Sequence, residues 1–343
     1  AESRMSEGLL VLAPVGLLPV LLYLVMLLFM DSYKLVTLRG VVGAILAGAA
    51  LTGLAYLVNS LFRDLLDLSF IETSRLIAPV TEEILKALIV IWMFRTNRIG
   101  FLVDSAIFGF AVGAGFAVAE NFFYLAMDTD QNLAVWIVRG FGTAIMHGSV
   151  TAIFAIVSQA LTERNMSIHP ARYLPGLLIA VALHGVYNQF LVNPIISTLV
   201  VMVVVPPLLH EVFRLSAARI HRWLELDFDA DALLLEQINS AEFSSSRIGR
   251  FLNDLRQAFD GPVVVDMLCY LRLYTELAMR AKGMLMARAA GLDIPAGERT
   301  REKFEELRYL EKSIGKTGIL ALSPFLHMER KDLWQLKVLA AAD

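Results

Sequence analysis

Apolar residues run through the first two thirds of the chain in long blocks, and polar residues gather in the gaps between them. A helix needs about 20 apolar residues to cross a bilayer core. Seven segments qualify: 8–30, 40–60, 76–94, 101–127, 133–160, 173–191 and 195–212. The pattern predicts an all-α, polytopic membrane protein with about seven transmembrane helices. Pro79 lacks a backbone donor, so the third helix either kinks there or begins there after an interfacial stretch from Phe70 to Ala78. Asn193-Pro194 makes a tight turn between the last two segments. The loops after segments one, three, five and seven carry Lys34, Arg39, Arg95, Arg98, Arg164, Arg172, Arg214 and Arg219. The other side carries Arg4, Arg63 and Arg75, and its loop Asp128-Thr129-Asp130 has no positive residue. Arg139 lies just inside segment five, where it can snorkel outward. By the positive-inside bias the N-terminus is outside and the C-terminus inside.

Beyond Pro206-Pro207 the pattern changes. Phe213 to Leu226 is amphipathic, with Arg214, Arg219 and Arg222 opposite Trp223, as suits a helix on the inner membrane surface. From Asp227 onward several amphipathic helices are expected, broken at Asp260-Gly261-Pro262 and between Gly291 and Gly297. The chain therefore divides into a transmembrane domain, 1–212, and a cytoplasmic helical domain, 213–343. Of its 343 residues 57% are hydrophobic, above the soluble range of about 45–50%. A net charge of -3 gives no reason to expect nucleic-acid binding. Cys269 is the one cysteine, which excludes an intrachain disulfide and a multi-cysteine metal site. Residues 1–4 precede the first methionine. Residues 8–30 are too long for a signal peptide core and read as a retained helix.

The informative exceptions are polar residues inside the apolar segments. Glu82 and Glu83 sit side by side in the third, and an ionisable group in a bilayer costs about 2.5–3.5 kcal/mol. Lys86 is one helical turn further on and can neutralise one of them. Glu120 shares a face with Tyr124, with Asn121 beside it, and His184 shares a face with Asn188. With the orientation above, Glu82, Glu120 and His184 lie about two turns from the outer surface and His147 slightly deeper. Groups on four segments thus fall in one layer of the outer half. Gly109 and Gly113, four residues apart, let segment four pack closely on a neighbour and bring Glu120 near it. Familiar membrane-protease motifs are absent: Arg214 stands where a second zincin histidine would follow His210-Glu211, and Gly-x-Ser-x-Gly does not occur.

Glu-Glu-Ile-Leu-Lys (82–86), Glu-Asn-Phe-Phe-Tyr (120–124), Met-His-Gly (146–148) and His-Gly-Val-Tyr-Asn (184–188) together resemble the PrsW family of bacterial intramembrane proteases. The resemblance covers roughly residues 40–212. The family is related more distantly to the CAAX prenyl-protein endopeptidases, which place an Arg five after the first Glu where this chain has Lys86 four after. The resemblance implies hydrolysis of a peptide bond in a single-pass membrane protein near the outer face of the bacterial inner membrane, such as first-site cleavage of an anti-sigma factor. It implies that Glu82 activates water, that Glu83 and Lys86 adjust its protonation, and that His147, His184 and Asn188 stabilise developing charge. Glu120 matches the second acidic motif, and Tyr124 and Asn121 are candidates to bind substrate.

Two chemistries are open from the residues. A glutamate-type endopeptidase needs no cofactor. A zinc enzyme would draw ligands from Glu82, Glu120, His147 and His184. A proton-coupled transporter would also use buried Glu, Lys and His, but no internal repeat is visible and the polar layer lies off-centre. A membrane-anchored signalling scaffold leaves the intramembrane glutamates unexplained.

Overall fold

The computed structural model describes residues 2–127, 132–162, 169–292, 294–295 and 299–326. Asp128-Thr129-Asp130, Arg164, Gly297 and the side chain of Arg4 lie outside the described residues. Every regular element among the described residues is helical. The chain divides into two compact units after Ser216.

In the first unit α1 (Glu2–Met30) and α2 (Leu38–Leu66) are followed by a one-turn helix, α3 (Phe70–Glu72). A π-helical turn (Thr73–Ile77) then leads into α4 (Ala78–Arg95). After α5 (Leu102–Ala126), the short α6 (Leu133–Ile137) passes through a second π-helical turn (Val138–Thr143) into α7 (Ala144–Thr162). α8 (Leu174–Asn188) and α9 (Pro194–Asn239) follow, and the division between units falls inside α9.

Polar side chains set the ends of these helices. The Thr37 hydroxyl accepts from Gly40 N at 3.2 Å to start α2, and Asp67 closes it in a left-handed conformation. Ser69 and Glu72 form a reciprocal capping box that starts α3. Asp104 accepts from the backbone N–H groups of Gly100, Phe101 and Ser105 at 2.7–2.9 Å, which fixes the start of α5. Pro79 lies in the first turn of α4, so that helix begins there, directly behind the π-helical turn. The turn lets the chain stay helical where proline removes a donor.

Among the described residues five helical stretches are long and apolar enough to span a membrane: Leu12–Met30, Leu38–Leu66, Leu102–Ala126, Leu133–Thr162 and Pro194–Asn239. The two other expected segments fold as α4, with 18 residues, and α8, with 15. At 1.5 Å per residue α8 reaches only about 23 Å, short of a hydrocarbon core of about 30 Å, while α4 continues the helical run of α3 and the π-helical turn, over residues 70–95. The chain is a multi-pass membrane protein.

α5 is the axis of the bundle. Its span is 89% buried, against 22% for α2, whose outer face shows Leu46, Leu57 and Leu61. Glycines allow this. A methyl group at Gly113 would collide with the carbonyl of His147, and one at Gly109 with the backbone of Thr151 and Ala152. On the opposite side Gly115 meets the Ile45 carbonyl, and Gly48 of α2 meets that of Val112. Close packing of small residues is the usual means of helix association in lipid, where no hydrophobic drive operates.

The second unit contains the end of α9 with α10 (Arg247–Leu255), α11 (Gly261–Ala289) and α12 (Thr300–Leu322). Its core gathers Met267, Leu271, Leu277 and Leu322 around α11. Pro262 lies in the first turn of α11 and Gly291 takes a left-handed conformation after its end, as the expected breaks require.

Gly113→Ala puts a methyl group against backbone, which cannot move aside as a side chain can. It is expected to destabilise the bundle by about 1–3 kcal/mol. Gly53→Ala, with open space around it, is expected to be neutral or slightly stabilising. Thermal unfolding of both variants in detergent checks the contrast.

Candidate active site

Successive side chains on a helix point about 100° apart, so Glu82 and Glu83 face different neighbours. Glu83 points into the bundle with Lys86, and both are essentially fully buried. Its Oε1 accepts from Lys86 Nζ at 2.6 Å and from His184 Nδ1 at 2.9 Å. The Thr151 hydroxyl of α7 approaches its Oε2 at 3.5 Å. Glu82 turns toward α2, where its Oε1 accepts from Asn59 Nδ2 at 3.3 Å. Asn59 is itself held by the Thr81 hydroxyl.

Lys86 also donates to His147 Nδ1 at 2.9 Å and lies 4.4 Å over the Phe116 ring. It thus joins the carboxylate of its own helix to the imidazole of α7. His147 and His184 meet edge to face, with ring centroids 4.7 Å apart. Beyond His147, Glu120 Oε2 lies 3.4 Å from Nε2 without the alignment of a hydrogen bond. On α8, one turn past His184, Asn188 Nδ2 donates to the Ser74 carbonyl at 3.0 Å and approaches His184 Nε2 at 3.2 Å. Glu82, His147 and His184 each offer one ligand atom, and these atoms lie within 4.8 Å of one another.

The profile of a family described as PrsW family intramembrane metalloprotease matches residues 37–211, half of the chain. The chain belongs to the PrsW family. It is therefore an intramembrane protease, and the match spans α2 to α8 and the membrane part of α9. No curated protein and no solved structure matches the chain.

The structure brings Glu82, Glu83, Lys86, Glu120, His147, His184 and Asn188 into one cluster drawn from α4, α5, α7 and α8. Tyr124 and Asn121 sit to one side of it. Asn121 is buried, donates to the Gly16 carbonyl at 2.8 Å and accepts from Arg139 Nε at 3.0 Å. Tyr124 lies under the Arg139 guanidinium, 3.8 Å from its ring. Both are engaged with the bundle itself. Arg139, expected to snorkel outward, turns instead toward Glu120, with NH2 3.5 Å from Oε1. The π-helical turn that carries it redirects the side chain, a change that apolar periodicity cannot register. Asn59 and Thr151 also join the cluster. They were missed because a single Asn or Thr in a membrane helix carries no motif.

The donor set fits a metal of the zinc type. Two imidazoles and a carboxylate from separate helices, with a further position left open, are the composition of a catalytic zinc site. Glu83 on His184 Nδ1 is the carboxylate that typically orients a ligating histidine and makes Nε2 the acceptor, which the Asn188 amide meets at 3.2 Å. Glu120 Oε2, buried and without a hydrogen-bond partner among the described residues, faces the same histidines.

The two adjacent glutamates are expected to respond differently to neutralisation. Glu83→Gln leaves the fully buried Lys86 without its carboxylate and should destabilise the fold by about 3–5 kcal/mol. Glu82→Gln keeps the shape, gives up one long hydrogen bond, and should melt within a few degrees of wild type. Thermal unfolding of the two purified proteins in detergent separates the cases.

Proposed function

We propose that the cluster hydrolyses a peptide bond in a single-pass membrane-anchored protein near the outer face of the bacterial inner membrane. The observation that carries this is the convergence of Glu82, His147 and His184 inside the apolar bundle, in a chain whose family consists of intramembrane proteases. An anti-sigma factor is the substrate class the family resemblance suggests. The N-terminus outside, and the unit from Ala217 in the cytoplasm, follow from the positive-inside bias.

Glu82, His147 and His184 would hold a zinc-type ion, which when bound supplies a polarised carbonyl and a water of lowered pKa. This agrees with the word metalloprotease in the family description. Glu83 holds His184 by its Nδ1 proton and keeps Nε2 directed inward. Glu120, with Oε2 uncommitted, takes the water proton as its oxygen adds to the scissile carbonyl. The same carboxyl returns that proton to the leaving amine as the C–N bond breaks. With Nε2 of His184 given over to the ion, the Asn188 N–H that now meets it would be released to the developing oxyanion.

A second reading needs no metal, and the contact between Lys86 and His147 favours it. An ammonium only donates, so Nδ1 of His147 accepts and Nε2 carries the proton. His147 is then a hydrogen-bond donor to the oxyanion rather than a ligand, and Glu82 takes the proton from water.

The test is co-expression with a panel of single-pass reporters tagged at both ends, each with an extracytoplasmic juxtamembrane segment. Wild type should give a new fragment, and Glu82→Gln should reduce its rate by about 100-fold or more. A fragment formed equally by both would assign the cut to a host protease. No fragment across the panel, with both proteins folded, would move the reading to proton transport.

Metal content decides between the two chemistries. The metal reading expects about one zinc per chain in wild type by mass spectrometry, loss of activity in chelator, and recovery on adding zinc. Full activity in metal-free protein would establish the glutamate mechanism.

A further inference from the structure

Among the described residues Arg139 is the one guanidinium built into the cluster, and nothing in the four motifs accounts for it. Its side chain is mostly buried; Nε and the guanidinium face are held, and NH2, without a hydrogen-bond partner among the described residues, is left to an ion pair. Nε donates to Asn121 at 3.0 Å, and the guanidinium plane lies 3.8 Å over Tyr124. NH2 is 3.5 Å from Glu120 Oε1, on the carboxyl whose other oxygen faces His147. The backbone beneath it is equally constrained. Arg139 sits on the π-helical turn Val138–Thr143, where a methyl group at Gly140 would collide with the Val15 carbonyl. One at Gly142 would collide with Thr198 and Tyr187. π-Helical turns inside α-helices commonly serve to re-aim a functional side chain. This one aims a cation at the carboxylate that faces His147.

We propose that Arg139 is a positioning residue that acts through Glu120. It holds Oε1 so that Oε2 points at His147 and at the reacting water, with Asn121 and Tyr124 fixing the guanidinium from behind. The assignment rests on the proteolytic reading above. It also gives Tyr124 and Asn121 a role other than substrate binding: they orient Arg139. A planar, forked guanidinium suits this better than an ammonium, because separate nitrogens can meet Asn121 and Glu120 at once.

The test is a double-mutant cycle on the full chain in detergent, using whichever tagged reporter wild type cleaves. Arg139→Gln should lower kcat by about 10- to 100-fold and leave KM within about threefold, as expected when a reacting group is displaced by about 1 Å. Arg139→Lys should recover part of the loss. In a Glu120→Gln background, replacing Arg139 should cause less than a twofold further change, because both substitutions remove the same function. Losses that multiply would overturn the proposal, and so would a rise in KM with kcat retained. Should Arg139→Gln fail to fold, Arg139→Lys carries the same cycle. Glu82→Gln runs alongside: equal cleavage by it and by wild type overturns the proteolytic reading itself, whereas loss in Glu82→Gln with no effect at Arg139 overturns this proposal alone.

Discussion

The ion pair between Glu83 and Lys86 is the interaction on which the membrane unit depends. Two charges this deeply buried are tolerated only when each finds several partners. Glu83 meets a lysine, a histidine and a threonine hydroxyl, and Lys86 meets a carboxylate, an imidazole and an aromatic face. These partners come from α5, α7 and α8 as well as α4. Satisfying one buried pair therefore obliges four helices to meet at one level, and the histidines arrive already oriented.

That obligation separates the roles of the two adjacent glutamates. The fully committed one is structural and electrostatic: it sets the tautomer of His184 and the place of Lys86. The loosely held one, Glu82, has a single long hydrogen bond to Asn59 and lies beside the same histidines. A carboxylate available for chemistry stands next to one that is not, and helical geometry alone divides them. Glu120 repeats the arrangement on α5, with one oxygen toward Arg139 and the other toward His147 without an aligned hydrogen bond.

Glycine and π-helical turns provide the backbone placement. Gly109 and Gly113 let α5 approach α7 closely along the stretch from His147 to Thr151, so the height of His147 is set by backbone contact rather than by side-chain fit. The turn at Thr73–Ile77 delivers α4 with proline in its first turn, and the turn at Val138–Thr143 delivers Arg139. Bent and widened helix geometry is concentrated on the elements that feed the site.

The helical class, the polytopic membrane character and the residues of the cluster were legible in the sequence, because lipid admits few exceptions. A long apolar run must be helical to satisfy its own backbone, and an ionisable residue inside one stands out against its surroundings. The layer in which Glu82, Glu120, His147 and His184 fall could be read from their distances to helix ends. Which partner each group takes was decided only in three dimensions. Lys86 is within one turn of both glutamates, and it is the inward direction of Glu83 that wins it. α8 reads as a full span from composition, yet its regular helix stops at Asn188. Asn59, Thr151 and Arg139 carry no pattern by themselves and gain a role only from the helices packed against them. Asn121 and Tyr124, neighbours of Glu120 in sequence, turn to a different face from the histidines, because residues one and four places along a helix need not share the partner of the first.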